Sequence, residues 1–156
     1  MIKITLKDGS VKEIENAMSI LDIAKSISEG LARMATAGEV NGEVKDLRYV
    51  VDQDCSLNIL TFESSLEGKK AYWHTTSHIM AQAVKRLFPN VKLAIGPAID
   101  DGFYYDFDVE KPFTDEDKTK IEEEMKKIIK EDLSIERFEL PKEEALKLMS
   151  DAGEDY

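Results

Sequence analysis

The chain has 156 residues, 42% apolar and 34% charged, and its 21 basic against 32 acidic side chains give a formal net charge of −11. That length buries a sizeable core as one ordinary domain or two small ones, no apolar run approaches the ~20 residues of a membrane span, and the negative field repels polyanions, which counts against autonomous nucleic-acid binding. The lone cysteine, Cys55, excludes an internal disulfide framework and fits a reducing, cytoplasmic compartment.

The amino terminus alternates apolar and polar residues from Ile2 to Leu6, turns at Asp8-Gly9, and resumes the alternation from Val11 to Ile14, which predicts a β-hairpin rather than a secretory signal. Ser19 is placed to cap a helix of about 10 residues, with Asp22 at its third position, Ile20, Ile23, Ala24 and Ile27 at helical spacing, and Gly30 as the stop. Strands are then expected over residues 35–40, 43–44 and 56–61, divided by Asn41-Gly42 and by Asp52-Gln53-Asp54. A hairpin, a covering helix and further strands within residues 1–63 describe a β-grasp, ubiquitin-like layout, and the overall class is α+β.

Residues 64–70 are polar and contain a glycine, and they are expected to be a mobile linker. From residue 71 to 156 a second, α/β domain is expected. Its first helix carries Ile79, Met80, Ala83, Val84, Leu87 and Phe88 at three- to four-residue steps and ends at Pro89-Asn90. Strands are expected at 91–95 and 103–109 around the loop from Gly96 to Gly102. Thr114 should cap a charged helix reaching Asp132, with Ile121, Met125, Ile128 and Ile129 as its apolar stripe. A strand at 134–140 and a helix opened by Pro141 complete the order. The final Asp-Ala-Gly-Glu-Asp-Tyr leaves this second domain unclosed, so it is expected to continue beyond Tyr156.

The two histidines, His74 and His78, stand four apart on one helix face. By residue type alone they fit surface side chains, a pair of metal ligands, or imidazoles that order a hydrolytic water. The metalloprotease form is absent because no Glu follows His74. A third ligand would have to come from Asp100, Asp101, Asp106 or Cys55, none at a recognisable spacing, and no metal is assigned. Thr75, Thr76 and Ser77 cannot form a triad with neighbours on the same helix, and Ser77 is expected on the helix surface. In the stretch that follows, Phe103, Tyr105 and Phe107 should face inward and Tyr104 and Asp106 outward; the same loop and strand offer aromatic faces for a base and an acid for a ribose or an ammonium group. Trp73 is expected in a core.

The blocks Trp73-His74-Thr75-Thr76-Ser77-His78-Ile79-Met80-Ala81-Gln82-Ala83 and Leu93-Ala94-Ile95-Gly96-Pro97-Ala98-Ile99-Asp100-Asp101-Gly102-Phe103-Tyr104-Tyr105-Asp106 resemble the start of the editing domain of threonyl-tRNA synthetases. The preceding 63 residues resemble a TGS domain, in the domain order of that family. The resemblance implies a cytoplasmic, ATP-dependent ligase joining threonine to its tRNA, with a second site that hydrolyses mischarged seryl-tRNA. It assigns His74 and His78 to editing, with Tyr105, Gly96 and Asp106 as contacts for the tRNA acceptor end. It places ATP, magnesium and zinc in a synthetic domain beyond this chain and puts none of them here. It also implies a homodimeric parent that associates through absent parts, so the 156-residue chain is expected to be a monomer, inactive in synthesis. The alternatives are a TGS-containing regulatory or RNA-associated binding module, for which the chain has no Gly-x-x-x-x-Gly-Lys nucleotide loop, and a two-histidine metal hydrolase.

Overall fold

A computed structural model describes residues 1–154, which divide into two compact units between Trp73 and His74. In the first unit, strands β1 (Ile2–Leu6) and β2 (Val11–Ile14) form the expected hairpin, pairing Ile2 with Ile14 and Ile4 with Lys12. Its turn is held by the Asp8 carboxylate, which accepts from the Ser10 amide at 2.9 Å and the Ser10 hydroxyl at 2.6 Å. Strand β3 (Met18–Ser19) pairs with β6 (Val50–Val51) in a small separate ladder.

Helix α1 (Ile20–Ile27) begins at the expected cap, where the Ser19 hydroxyl accepts from the Asp22 amide at 3.1 Å. The expected stop at Gly30 is not where the helix ends. Ser28 breaks it two residues earlier, in extended conformation, and its hydroxyl caps a second short helix, α2 (Glu29–Met34), by accepting from the Gly30 and Leu31 amides. A serine in that position satisfies two amides that a continued helix end would leave open.

Strands β4 (Ala35–Val40), β5 (Glu43–Lys45) and β7 (Cys55–Thr61) complete a five-stranded sheet of order β2-β1-β7-β4-β5, in which only the β1–β7 pair is parallel. Asn41 and Gly42 both have positive φ, 50° and 84°, the geometry of a two-residue hairpin turn. Ile20 and Ile23 of α1 pack with Ile4, Ile14, Val40, Val51, Cys55 and Leu57, so one face of the sheet is covered as in a β-grasp.

Helix α3 (Leu66–Leu87) gives its first residues, 66–73, to this unit and the rest to the second. The expected linker at 64–70 is therefore helical from Leu66 onward. Gly68 serves close packing: a Cβ there would collide with the Thr61 carbonyl, and its own carbonyl accepts from the Thr36 hydroxyl at 2.9 Å. Trp73 and Tyr72 both meet Phe62 edge-on, at 5.7 and 5.2 Å between centroids.

In the second unit the chain between residues 92 and 108 folds back on itself. Strand β8 (Lys92–Leu93) pairs with β11 (Phe107–Asp108), and inside that pair β9 (Ala98–Ile99) joins β10 (Gly102–Phe103) across Asp100-Asp101. The expected strands 91–95 and 103–109 survive as these short pieces, linked by bonds from the Ala94 amide to the Asp106 carbonyl and from the Asp106 amide to the Ile95 carbonyl.

Helix α4 (Asp115–Glu131) starts at a capping box in which Thr114 and Asp117 satisfy one another's amides. Its Ile121 and Ile128, with Met125 beside them, pack on Ala83 and Val84 of α3. Ile129, expected in that stripe, is 60% exposed. Arg86 of α3 forks onto Glu131 at 2.7 and 2.8 Å and reaches Glu124 at 3.2 Å, tying the two helices. Residues 134–140, expected as a strand, form no ladder, and the side chains of Ile135 and Phe138 are exposed. Helix α5 (Lys142–Asp151) follows Pro141 as expected and buries no residue. Glu154, just beyond it, pairs with Lys85 at 2.8 Å and accepts from the Leu93 amide at 3.2 Å.

Candidate active site

Successive turns of α3 set the two imidazoles over one another: the His74 and His78 rings stack at 4.7 Å between centroids, with planes 24° apart. Both residues are exposed. Partial burial of the imidazole, and then the neighbouring His74, hold the His78 pKa below the ordinary histidine value, so its neutral form is favoured. A neutral imidazole keeps one nitrogen lone pair to accept a proton or to hold a water.

Between the histidines, Ser77 departs from its expected place on the helix surface. It is fully buried, and its hydroxyl is directed to the carbonyls of His74 at 2.7 Å and Gly96 at 3.2 Å. The bond to Gly96 fastens the histidine turn to the loop between β8 and β9. On that loop the Tyr105 ring lies against Gly96, where a Cβ would fall inside the ring, and Tyr105 stacks in turn on Phe107 at 4.8 Å. Burial, followed by the charge of Glu154, raises the Tyr105 phenol above its usual range, so it stays protonated as a hydrogen-bond donor.

The structure thus brings the histidine turn, Gly96 and Tyr105 into one connected arrangement. Asp106 belongs to it through its backbone, which bonds to Ala94 and Ile95. Its side chain is on the exposed side of the strand, with Tyr104, opposite the half-buried Phe103, Tyr105 and Phe107, as the alternation predicts. Gly96 contributes room for the Tyr105 ring and a carbonyl for Ser77.

Among the described residues, no three His, Cys, Asp or Glu side chains gather as a metal centre. Cys55 is buried in the core of the first unit. Ser77 is the residue that reading the sequence misplaced. Its only local sign is a small polar side chain between two histidines, and the partner that buries it lies 19 positions away. A cavity of about 710 Å³ in the second unit lies elsewhere, against Phe88, Val91, Val109 and Phe113. Among the described residues, no helix is long and apolar enough to cross a membrane.

Comparison with known proteins places the chain by similarity. Residues 2–61 match the TGS domain family. The whole chain is 67% identical to a threonine--tRNA ligase of Acetivibrio thermocellus, 62% identical to one of Clostridioides difficile and 59% identical to one of Desulforamulus reducens, covering 24% of each of those proteins. The chain therefore spans about a quarter of the length of the curated relatives it matches. Residues 2–61 form a TGS domain, and over its whole length the chain corresponds to the amino-terminal region of threonine--tRNA ligases.

Proposed function

We propose that the chain is the amino-terminal part of a threonine--tRNA ligase and that its second unit contributes to hydrolysis of seryl-tRNA formed in error. The observation that carries this proposal is the stacked His74–His78 pair on a turn that Ser77 fastens to the Gly96–Tyr105 loop. Serine is one methyl smaller than threonine and keeps the hydroxyl, so exclusion from a threonine pocket gains only about 1–3 kcal/mol and a second, hydrolytic step is needed.

In that step a water oxygen bonds to the seryl ester carbonyl carbon, the bond from that carbon to the ribose oxygen breaks, and the ribose oxygen leaves with a proton while serine departs as its carboxylate. His74 and His78 order the water and receive its proton in transit, assistance typically worth about 10²–10⁴ in rate. Tyr105, held protonated and pinned over Gly96, donates to the acceptor end of the tRNA. Threonine ligation would draw on ATP, magnesium and zinc held by parts of the full-length protein outside this chain, and dimerisation would belong to those parts as well.

The test is hydrolysis of seryl-tRNA and threonyl-tRNA by the full-length protein and its His74→Ala and His78→Ala variants. Loss of seryl-tRNA hydrolysis by about 10²-fold or more, with aminoacylation intact, is the expected result. Unchanged hydrolysis in both variants would make the histidines structural.

A further inference from the structure

Two ties hold helix α3 to the strand and loop that carry the site. One is the Ser77 hydroxyl on the Gly96 carbonyl. The other lies about two turns further along the helix, at Lys85. Its ammonium has three hydrogens and finds three acceptors: the carbonyls of Pro89 at 3.3 Å and Val91 at 2.9 Å, and the Glu154 carboxylate at 2.8 Å. The second oxygen of that carboxylate accepts from the amide of Leu93 in β8 at 3.2 Å, and Leu93 leads through Ala94 and Ile95 to Gly96. Helix α5 buries no residue, yet the Glu154 side chain just beyond it is only 14% exposed, and that of Lys85 27%. A charge-assisted network shielded in this way holds its members more firmly than an exposed ion pair does.

We propose that Glu154 is a positioning residue for the editing site: by bridging Lys85 and the Leu93 amide it clamps the start of β8 to α3, and so sets where Gly96 and Tyr105 stand against the histidine turn. The Ser77 tie fixes one point of the loop, and a segment held at one point can pivot. A second hold at Leu93 removes the pivot. From Leu93 the constraint passes through the backbone bonds of Ala94 and Ile95 to Asp106, the neighbour of Tyr105. The charge of Glu154 also acts on the Tyr105 phenol, so the carboxylate lies near that ring. Glu154 itself touches no reacting atom and acts through the groups it holds. Its role in hydrolysis rests on the proposed editing function, whereas the clamp on β8 rests on the distances alone.

The experiment uses Glu154→Gln, which keeps the shape and removes the charge, and Lys85→Met, which keeps most of the stem and removes the ammonium. In the full-length protein each should lower kcat for seryl-tRNA hydrolysis by roughly tenfold or more with KM little changed, because displacing a reacting group by about 1 Å costs up to about 10²-fold. Threonine ligation measured on the same preparations confirms that each variant is folded. The double variant should lose no more than the worse single one, since both substitutions open one clamp. Glu154→Asp, which restores the charge on a shorter stem, should recover part of the rate. Losses that multiply in the double variant, or a rate untouched by either substitution, would overturn the positioning role.

His74→Ala and His78→Ala separate the two proposals. Hydrolysis lost in both histidine variants but unchanged in Glu154→Gln would leave the editing function standing and remove Glu154 from it. Hydrolysis indifferent to both histidines would sink the editing function, and the clamp on β8 is then decided in the 156-residue chain by NMR. There, Glu154→Gln should speed exchange of the Leu93 amide and move the Tyr105 ring signals. The phenol should also titrate lower than in the parent chain, because the nearby charge is gone while burial stays. An unmoved Tyr105 and an unchanged Leu93 exchange rate would mean that the ion pair holds nothing in place.

Discussion

Gly96 has no side chain, and the Tyr105 ring occupies the space where one would begin. In Gly96→Ala the added methyl forces the ring or the loop aside, a type of overpacking that costs about 1–3 kcal/mol. Urea unfolding should show that loss, and the near-UV tyrosine signal should change in the folded state. An unaltered spectrum and midpoint would mean the loop gives way freely.

His78 offers a second test at the same scale. Its pKa lies below the ordinary value through burial first and His74 second. An NMR titration of His74→Ala should therefore raise the His78 value part of the way, not to that of a free histidine. The sign for stability follows: the folded chain binds this proton less readily than the unfolded one, so the contribution is complete above the ordinary imidazole range and is lost as pH falls through the depressed value.

Among the elements, helix α4 depends on a device that is local in sequence. Thr114→Ala removes the hydroxyl half of the capping box and should cost about 0.5–2 kcal/mol in unfolding free energy. Such local devices were legible in the sequence, as the Asp8-Gly9 and Asn41-Gly42 turns and the Ser19 and Thr114 caps demonstrate. Each depends on atoms within a few residues of one another.

What could not be read depends on distant partners. The parallel pairing of Ile4 with Cys55 joins residues 51 positions apart, and the burial of Ser77 comes from Gly96. Residues 134–140 carry apolar side chains suited to a strand, yet a strand needs a ladder with a neighbour, and the segment takes no strand conformation. Gly68 read as a flexible joint because glycine suits both loose chain and tight contact, and only the Thr61 carbonyl beside it decides between them. Limited proteolysis should accordingly cut first within residues 132–141 and leave 64–70 resistant, with fragment masses as the readout. Early cleavage at 64–70 would contradict the helical start of α3.

For the molecule as a whole, charge governs what the 156-residue chain does alone. At −11, with 7 basic against 11 acidic residues up to Ser64 and 14 against 21 beyond, neither part has the field that gathers phosphates. The 156-residue chain should show no saturable tRNA binding by filter retention at about 0.15 M salt, the ionic strength at which exposed charges are screened beyond about 8 Å. Tight binding by the isolated chain would require a contact surface that its composition does not contain.

Cys55 supplies a natural clock for the first unit. The only thiol in the 156-residue chain lies in the core beside Ile4 and Leu57, and burial raises its pKa, which suppresses the reactive thiolate. A thiol-specific dye added to the native 156-residue chain must wait for the TGS domain to open. Its labelling rate, divided by the rate for the unfolded chain, reads the opening equilibrium of that domain alone, with no engineered probe and with the histidine-bearing unit silent throughout.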